Sequence, residues 1–524
     1  MSFWQDHLVI VPVVLPLVTG ALMLLVDERK HGFKAAANVL STLALVAVAL
    51  VLLGLSDGPA MPVYRLGNWP APFGIVFVAD RLSALMVLLT AVLALAALLF
   101  SLARWHRAGP RFHVLLQFLL MGLNGAFLTG DLFNLFVFFE LLLAASYGLA
   151  LHGSGSVRVR GSLHYIAINV TASLLFLIGA SLIYAVTGTL NMADLAVRVP
   201  LVAAGDRGLL EAGAAILGVA FFVKAGMWPL CFWLPTTYAA ASAPAAALFA
   251  ILSKVGIYAV LRIWLLLFGD GAGDSAGVGS DWLVAGGMMT LAFGIIGVLA
   301  SQELSRLAGY SLLVSSGTLL VAIGSGQTAV IGAALYYLVA STLGVSALYL
   351  LIELIERARA PGADVLAVTA EAFVDADDEM EDDEEIGITI PATMAFLGLS
   401  FACCALLLAG LPPFPGFVAK FGLLAALLEP SPIPATAWGM LILLAVSGLA
   451  FIVAMGRAGM RIFWASQGYS VPRVRVIEMA PIVLLLALSA VLTLQAGPAM
   501  RYLTDTAQSL HATQGYVNNV LLPK

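Results

Sequence analysis

The sequence predicts an all-α protein that crosses a membrane many times, and three observations predict it. Hydrophobic residues make up 61% of the 524 residues and charged residues only 10%, against about 25% charged in a soluble domain, and the mean hydropathy is +1.02. The apolar residues fall in runs long enough to span a hydrocarbon core, which takes about 20 residues. The loops between the runs alternate between many and few basic residues, as the two sides of a polytopic protein do.

Taken in order, spans are expected at 8–26, 35–55, 75–101, 112–130, 132–150, 162–187, 209–234, 244–268, 282–300, 307–324, 328–355, 388–428, 435–456 and 477–496. That makes fourteen, with the twelfth unusually long. The first is too long for a signal-peptide core and lacks a basic leader, so it is expected to be a retained helix. The chain divides into helices one to three (1–111), helices four to eight (112–268), helices nine to thirteen (282–456) and helix fourteen with an outer tail (477–524). One set of loops holds Arg29, Lys30, Lys34, Arg104, Arg107, Arg111, Arg158, Arg160, Arg306, Arg357, Arg359, Arg457, Arg461, Arg473 and Arg475, fifteen in all; the other holds five, Arg65, Arg198, Arg207, Arg501 and Lys524. The positive-inside rule then places both termini on the outer side.

Composition also excludes some classes. A net charge of −5 on a chain of this size gives no reason to expect a nucleic-acid partner. The acidity is concentrated in DADDEMEDDEE (375–385), inside a loop over 360–387, which reads as a solvated segment or as an attractor of cations to a nearby mouth. Cys231, Cys403 and Cys404 lie in apolar runs, with neither a disulfide framework nor zinc spacing. No nucleotide loop and no cluster-ligating cysteine set is visible, so no cofactor is expected.

Against this apolar background, Lys224, Lys254 and Lys420, three of the six lysines, and the carboxylate Glu140 sit inside apolar runs. Each such charge costs about 2.5–3.5 kcal/mol on insertion scales, and proton movement is the expected reason for them. Span seven, FFVKAGMWPLCFWLP, places Gly226, Pro229 and Pro235 just after Lys224; span twelve, LAGLPPFPGFVAKF, places Pro412, Pro413, Pro415 and Gly416 just before Lys420. Proline removes a backbone donor, so both helices are expected to be interrupted where protein or water can satisfy the freed groups. A pair of broken helices in two halves points to inverted repeats around a midplane ion site. The competing reading is packing kinks with lysines that snorkel.

Other polar residues carry two readings each. Arg81, beside Asp80, is expected to pair with it or to snorkel. Arg262, two turns beyond Lys254, is either the last station of a relay or an interface anchor. Ser253, Tyr336, Tyr337, Ser341, Thr342 and Ser346 lie within spans, where they either hold water for proton transfer or pack between helices. His113 and His164 lie near the cytoplasmic ends of spans four and six and titrate near neutral pH, as proton-uptake groups or as interfacial hydrogen-bonding residues. Asp131 and Asn134 in TGDLFN read as helix caps rather than ion ligands.

The segments GAFLTGDLFNLFVFFELLLAASYGL (125–149), FFVKAGMWPLCFWLPTTYAAASAPAAALFAILSKVGIY (221–258), SQELSRLAGYSLLVSSG (301–317) and LAGLPPFPGFVAKFGLL (408–424) closely resemble the antiporter-like membrane subunits shared by respiratory complex I and the Mrp cation/proton antiporters. The resemblance covers essentially the whole chain, and TGDLFNLFVFFE looks most like the D-type branch of the Mrp (Mnh, Pha) antiporter subunits. It implies fourteen helices with two inverted five-helix repeats, spans four to eight and nine to thirteen, with helices seven and twelve broken. It further implies that Glu140 pairs with Lys224, that Lys254 is a central relay group and that Lys420 is the terminal one. Implied partners are the other antiporter subunits (A, B, C, E, F and G) with Na⁺ or K⁺ and H⁺, in a bacterial cytoplasmic membrane. Two departures stand out: Thr236 where complex I types carry aspartate, and Ser316 where they carry histidine. Three readings follow: a proton-translocating antiporter subunit, a proton-pumping subunit of complex I or a membrane hydrogenase, and a membrane subunit without a conducting path.

Overall fold

The computed structural model describes residues 7–58, 61–357, 392–430, 432–464 and 474–522. The expected acidic loop over 360–387 lies outside the described residues. Twelve of the described helices are long and apolar enough to cross a membrane, and three apolar helices are shorter. In chain order the helices are α1 (Val11–Leu24), α2 (His31–Ser56), α3 (Arg81–Ser101), α4 (Phe112–Leu128), α5 (Leu132–Ala150), α6 (Ser156–Thr187), α7 (Met192–Arg198), α8 (Ala204–Ala225), α9 (Trp233–Ala240) and α10 (Ala243–Phe268). They continue as α11 (Ser280–Ala300), α12 (Leu304–Gly324), α13 (Thr328–Glu356), α14 (Ala392–Ala409), α15 (Pro415–Leu428), α16 (Ala435–Gly459), α17 (Val476–Leu494), α18 (Ala496–His511) and α19 (Thr513–Leu521).

Burial sorts these helices into a centre and a periphery. Along α10 and α12, 94% of the apolar window is buried within the chain, against 33% for α2 and 28% for α17. The centre of the bundle is therefore α10 and α12, together with α13 at 89%. The outward faces of α2, α6 and α16 carry exposed Leu, Ile and Val, which suits lipid or a neighbouring chain. Packing follows one order twice: α4 on α5, α6 on α8 and α9, and α8 on α10; then α11 on α12, α13 on α14 and α15, and α14 on α16.

The two interrupted helices end by the same device. After α8, Gly226 adopts φ +71° and the Met227 amide donates back to the Phe222 carbonyl; after α14, Gly410 adopts φ +80° and the Leu411 amide donates to Leu406. A left-handed C′ residue with a six-to-one bond is the Schellman termination, which glycine enters without a Cβ penalty. Glycine thus stops each helix, and Pro229 in the first break and Pro412 and Pro413 in the second follow in the connecting turns. The long expected span 388–428 is split, where it is described, into α14 and α15, with Pro415 at the first turn of α15, where its missing amide costs nothing.

Other regions differ from the expectation. Residues 63–65 and 76–78 form an antiparallel two-stranded hairpin, β1 and β2, between α2 and α3; strands of three residues are too short to show a period. The expected tail after helix fourteen instead folds into α18 and α19. Arg65 donates to the carbonyls of Val520 and Leu522, tying the hairpin to the end of α19. Arg81 does not pair with Asp80. It reaches Asp57 at 2.9 Å and Asp505 at 3.6 Å, because Asp80, the N-cap of α3, turns inward to Arg262.

Candidate functional site: a line of buried ammonium groups

Each of the three lysines is held by helices that the chain brings together from far apart, and among the described residues none has a carboxylate at ion-pair distance. Lys224 occupies the last turn of α8 and is 6% exposed. Its Nζ donates to Asn169 Oδ1 at 3.3 Å and lies 5.4 Å from the centre of the Phe139 ring. Ser173, four residues beyond Asn169 on α6, donates a short hydrogen bond to the Glu140 carboxylate. Residues four apart on a helix share one face, so a single ledge on α6 holds the carboxylate and the ammonium about one turn apart. Glu140 is half-buried and shares a stripe of α5 with the exposed Phe133 and Val137. This end of the line lies at the boundary of the chain.

Lys254, on the central helix α10, is fully buried. Its Nζ donates to Ser315 Oγ on α12 at 2.7 Å, and Ser315 meets Ser341 of α13 at 2.9 Å. The Lys224 end of α8 packs directly on α10: a Cβ on Gly256 would lie 2.5 Å from the Ala225 nitrogen and 2.8 Å from the Lys224 carbonyl carbon. Only glycine permits that approach, and it sets the first two lysines on touching helices.

Lys420, 8% exposed, lies on α15, beyond the second break. Its Nζ donates to the Ala409 carbonyl at 3.0 Å and to Ser447 Oγ of α16 at 3.1 Å. Ala409 is the last residue of α14, where carbonyls lack helical partners and carry the negative end of the helix dipole. The two breaks thus serve opposite geometries, with Lys224 before its break and Lys420 after it. Since α13 carries Ser341 and packs on α14 and α15, it joins the surroundings of Lys254 to those of Lys420.

The remaining residues singled out from the sequence divide. Tyr337 faces Ser315 and Thr318, beside Lys254. Tyr336 points away and donates to Leu492 of α17 at 2.9 Å. Thr342 and Ser253 bond back to their own helices, and Ser346 donates to Ala247 of α10 at 2.8 Å. Arg262 makes a buried two-pronged pair with Asp80, at 2.5 and 2.7 Å, and also donates to the Tyr258 hydroxyl. Asp131 accepts from the Asn134 amide at 3.0 Å and caps α5. His164 is exposed and bonds along its own helix.

His113 is 3% exposed and belongs to a polar network far from the lysines in chain position. Asn38 of α2 donates to its Nδ1 at 2.9 Å, Gln117 donates to Asn38, Ser41 to Gln117, and Thr19 of α1 to Ser41. The His106 ring lies 5.6 Å away, in the turn before α4; burial lowers the His106 pKa below its ordinary value. Sequence reading missed Asn169, Ser173, Ser315, Ser447 and the partners of His113 in this network, Asn38, Gln117, Ser41 and Thr19. The polar pair Asn169 and Ser173 at helical spacing inside an apolar run was the signal available for α6.

Three lysines buried inside a bundle of spanning helices, on α8, α10 and α15 and without carboxylate partners among the described residues, mark a polytopic membrane protein with charged side chains in its interior. Residues 129–450 match the NADH:quinone oxidoreductase/Mrp antiporter transmembrane family, and the chain belongs to that family. It is 58% identical, over 99% of its length and 98% of the relative's, to a probable K(+)/H(+) antiporter D subunit of Rhizobium meliloti (strain 1021). It is 35% identical, over 99% of its length and all of the relative's, to the Na(+)/H(+) antiporter D subunit of Alkalihalophilus pseudofirmus. A chain in the structure of the Mrp complex from Dietzia sp. DQ12-45-1b superposes with a TM-score of 0.82 at 25% identity, covering 99% of this chain and 100% of that one.

Proposed function

We propose that this chain is the proton-translocating D subunit of a multisubunit Na⁺ or K⁺/H⁺ antiporter, working with the other antiporter subunits in a bacterial cytoplasmic membrane with both termini outside. The observation that carries the reading is the set of three lysines, each buried and each held by an amide, a hydroxyl or a carbonyl rather than by a carboxylate. Such partners accept from a charged ammonium without fixing it as charged, so a proton can leave and return. The α6 ledge separates Glu140 from Lys224 but keeps them on one face. A small shift of α6 or of the neighbouring chain at Glu140 changes their attraction and so the readiness of Lys224 to release its proton. The proton then passes to Lys254, through the hydroxyls of Ser315 and Ser341, and on to Lys420, which sits where the α14 carbonyls turn inward.

The recurrent packing order of α4–α10 and α11–α16 supports two repeats related by inversion, with domains as expected from the sequence. In this reading Arg262 locks α10 to Asp80 as an anchor rather than serving as a station. In vesicles holding the assembled complex, Lys254→Ala is expected to abolish proton flux driven by a Na⁺ or K⁺ gradient while assembly persists; wild-type flux in that variant refutes the relay.

A further inference from the structure

Towards the side of the bundle that carries the many basic loops, α1, α2 and α4 share a run of polar side chains that the proton line does not use. Thr19 of α1 donates to Ser41 of α2 at 3.1 Å, Ser41 to Gln117 Oε1 of α4 at 3.2 Å, Gln117 Nε2 to Asn38 Oδ1 at 2.7 Å, and Asn38 Nδ2 to His113 Nδ1 at 2.9 Å. Asn38, Ser41, His113 and Gln117 are each at most 5% exposed, inside helices where a polar side chain must find its partners within the protein. Every bond in the chain points the same way, and the chain ends on the imidazole. An Nδ1 that accepts puts the ring proton on Nε2, and that Nε2 is buried with no partner among the described residues. Buried donors without a partner are uncommon, so the histidine is where this chain is open.

The chain has a second polarity. A side-chain amide carries a donor and an acceptor on one planar group, so half-turns of Asn38 and Gln117 reverse every bond while the same atoms stay in contact. A proton gained at Nδ1 forces the reversal, because an imidazolium can only donate: His113 then donates to Asn38, Asn38 to Gln117, Gln117 to Ser41 and Ser41 to Thr19. The two polarities are not equal. As it stands, Asn38 Nδ2 also reaches the His113 main-chain carbonyl at 3.3 Å; after reversal Oδ1 faces that carbonyl, two oxygens with no hydrogen between them. The reversal therefore pushes α2 and α4 apart at this level. That shift has a route to the relay, because α4 meets α5 backbone to backbone: a Cβ on Gly122 would lie 2.7 Å from the Leu142 nitrogen. Glu140 is two residues before Leu142 on the same helix. Close-packed interfaces move as units rather than deforming, so displacing α4 moves Glu140 relative to the α6 ledge.

We propose that His113 is a regulatory proton-binding site at the basic side, and that its protonation lowers antiport by reversing the chain and displacing α5. The proposal rests on the antiporter reading and adds a control to it. His113 lies in the first turn of α4, next to the turn that carries His106. The charged and titratable groups facing it are His106, Lys34, His31 and Glu28. Lys34 and Glu28 pair at 2.7 Å and so offset each other. Arg107 donates to His106 at 3.2 Å, the Arg111 amide donates to Glu28 at 3.3 Å, and His152, just after α5, packs on Phe112. The His31 ring lies 6.4 Å from that of His106, and His31 is half-buried at the start of α2. Imidazoles, which titrate near neutral pH, thus lead from the surface to His113. The charged form grows as pH falls, so antiport is fully present on the alkaline side of the His113 titration and declines as the basic side is acidified through it.

The test uses everted vesicles holding the assembled complex, which present the basic side to the external medium. Interior pH is fixed, external pH is stepped over about 5.5–8.5, a range that brackets the ordinary imidazole value, and proton flux is read after a K⁺ or Na⁺ jump. His113→Gln keeps an acceptor for Asn38 but cannot gain a charge. Its flux is expected to equal that of the wild type at the alkaline end and to exceed it at least about threefold at the acid end, where only the wild type is inhibited. Asn38→Ala leaves the histidine but removes the oxygen that would face its carbonyl. It is expected to show the same acid-side gain, and it carries the measurement if His113→Gln does not assemble. A variant-to-wild-type ratio that is constant across the range overturns the switch. So does loss of flux at every pH in assembled complex, which assigns the network to packing, and so does a dependence that follows interior rather than external pH. Absence of cation-driven flux in the wild type overturns the antiporter reading and the switch with it, whereas wild-type flux beside a constant ratio overturns the switch alone.

Discussion

Replacing Asn169 by leucine tests the ledge on α6 without touching a charge. The variant keeps the volume and helix preference of the site but removes the oxygen that accepts from Lys224 at 3.3 Å. A hydrogen bond to a charged group contributes about 1.5–3 kcal/mol, and each 1.4 kcal/mol is about tenfold in rate or equilibrium. The Phe139 ring lies beside the ammonium in wild type and variant alike, so it does not enter the difference. The expected result is a fall of about 10- to 100-fold in cation-driven proton flux. The assay is dye-reported pH change in vesicles after a K⁺ or Na⁺ jump, normalised to assembled complex. Asn169→Gln, which retains an amide, is expected to fall less. Wild-type flux in Asn169→Leu with normal assembly refutes the claim that α6 sets the state of Lys224.

Four further variants have defined outcomes. Gly256→Ala forces α8 and α10 apart at Lys224 and Ala225; overpacking of this kind costs about 1–3 kcal/mol and is expected to slow flux while the complex still forms. Asp80→Ala strands the buried Arg262 guanidinium, at a cost of about 3–5 kcal/mol, read as a lower thermal midpoint of the solubilised complex, whereas Asp80→Leu with Arg262→Met is expected to recover most of it. Ser447→Ala removes one of the two acceptors of Lys420 and leaves the Ala409 carbonyl. Its flux is expected to fall less than that of Asn169→Leu, since the Ala409 carbonyl still accepts from the Lys420 ammonium; complete loss contradicts the shared-acceptor geometry.

Four charges were legible in the sequence because lysine and glutamate in apolar runs violate the strongest rule of the bilayer. The breaks beside Lys224 and Lys420 were legible for a related reason, since glycine and proline punctuate helices regardless of fold. What holds each ammonium was not legible. Ser315, Ser447 and the Ala409 carbonyl approach from other helices, and serine or threonine in a spanning helix can bond to its own backbone instead of a neighbour, as Ser253 and Thr342 do here. The Asp80–Arg262 pair closes over a separation of 182 residues, so the adjacent Arg81 drew the sequence reading to the wrong partner. The helices after α17 escaped notice because they are amphipathic rather than uniformly apolar: α18 buries Leu503, Thr506, Ala507 and Leu510 along one face.

At the centre of the proposed mechanism, Glu140, Lys224, Lys254 and Lys420 form one line of proton stations. The most direct test is cation-driven proton flux in vesicles of the assembled complex carrying Lys224→Ala or Glu140→Ala, with assembly measured in the same membranes. Either variant is expected to assemble and to lose Na⁺- or K⁺-dependent proton flux. Full antiport by both contradicts the line of stations.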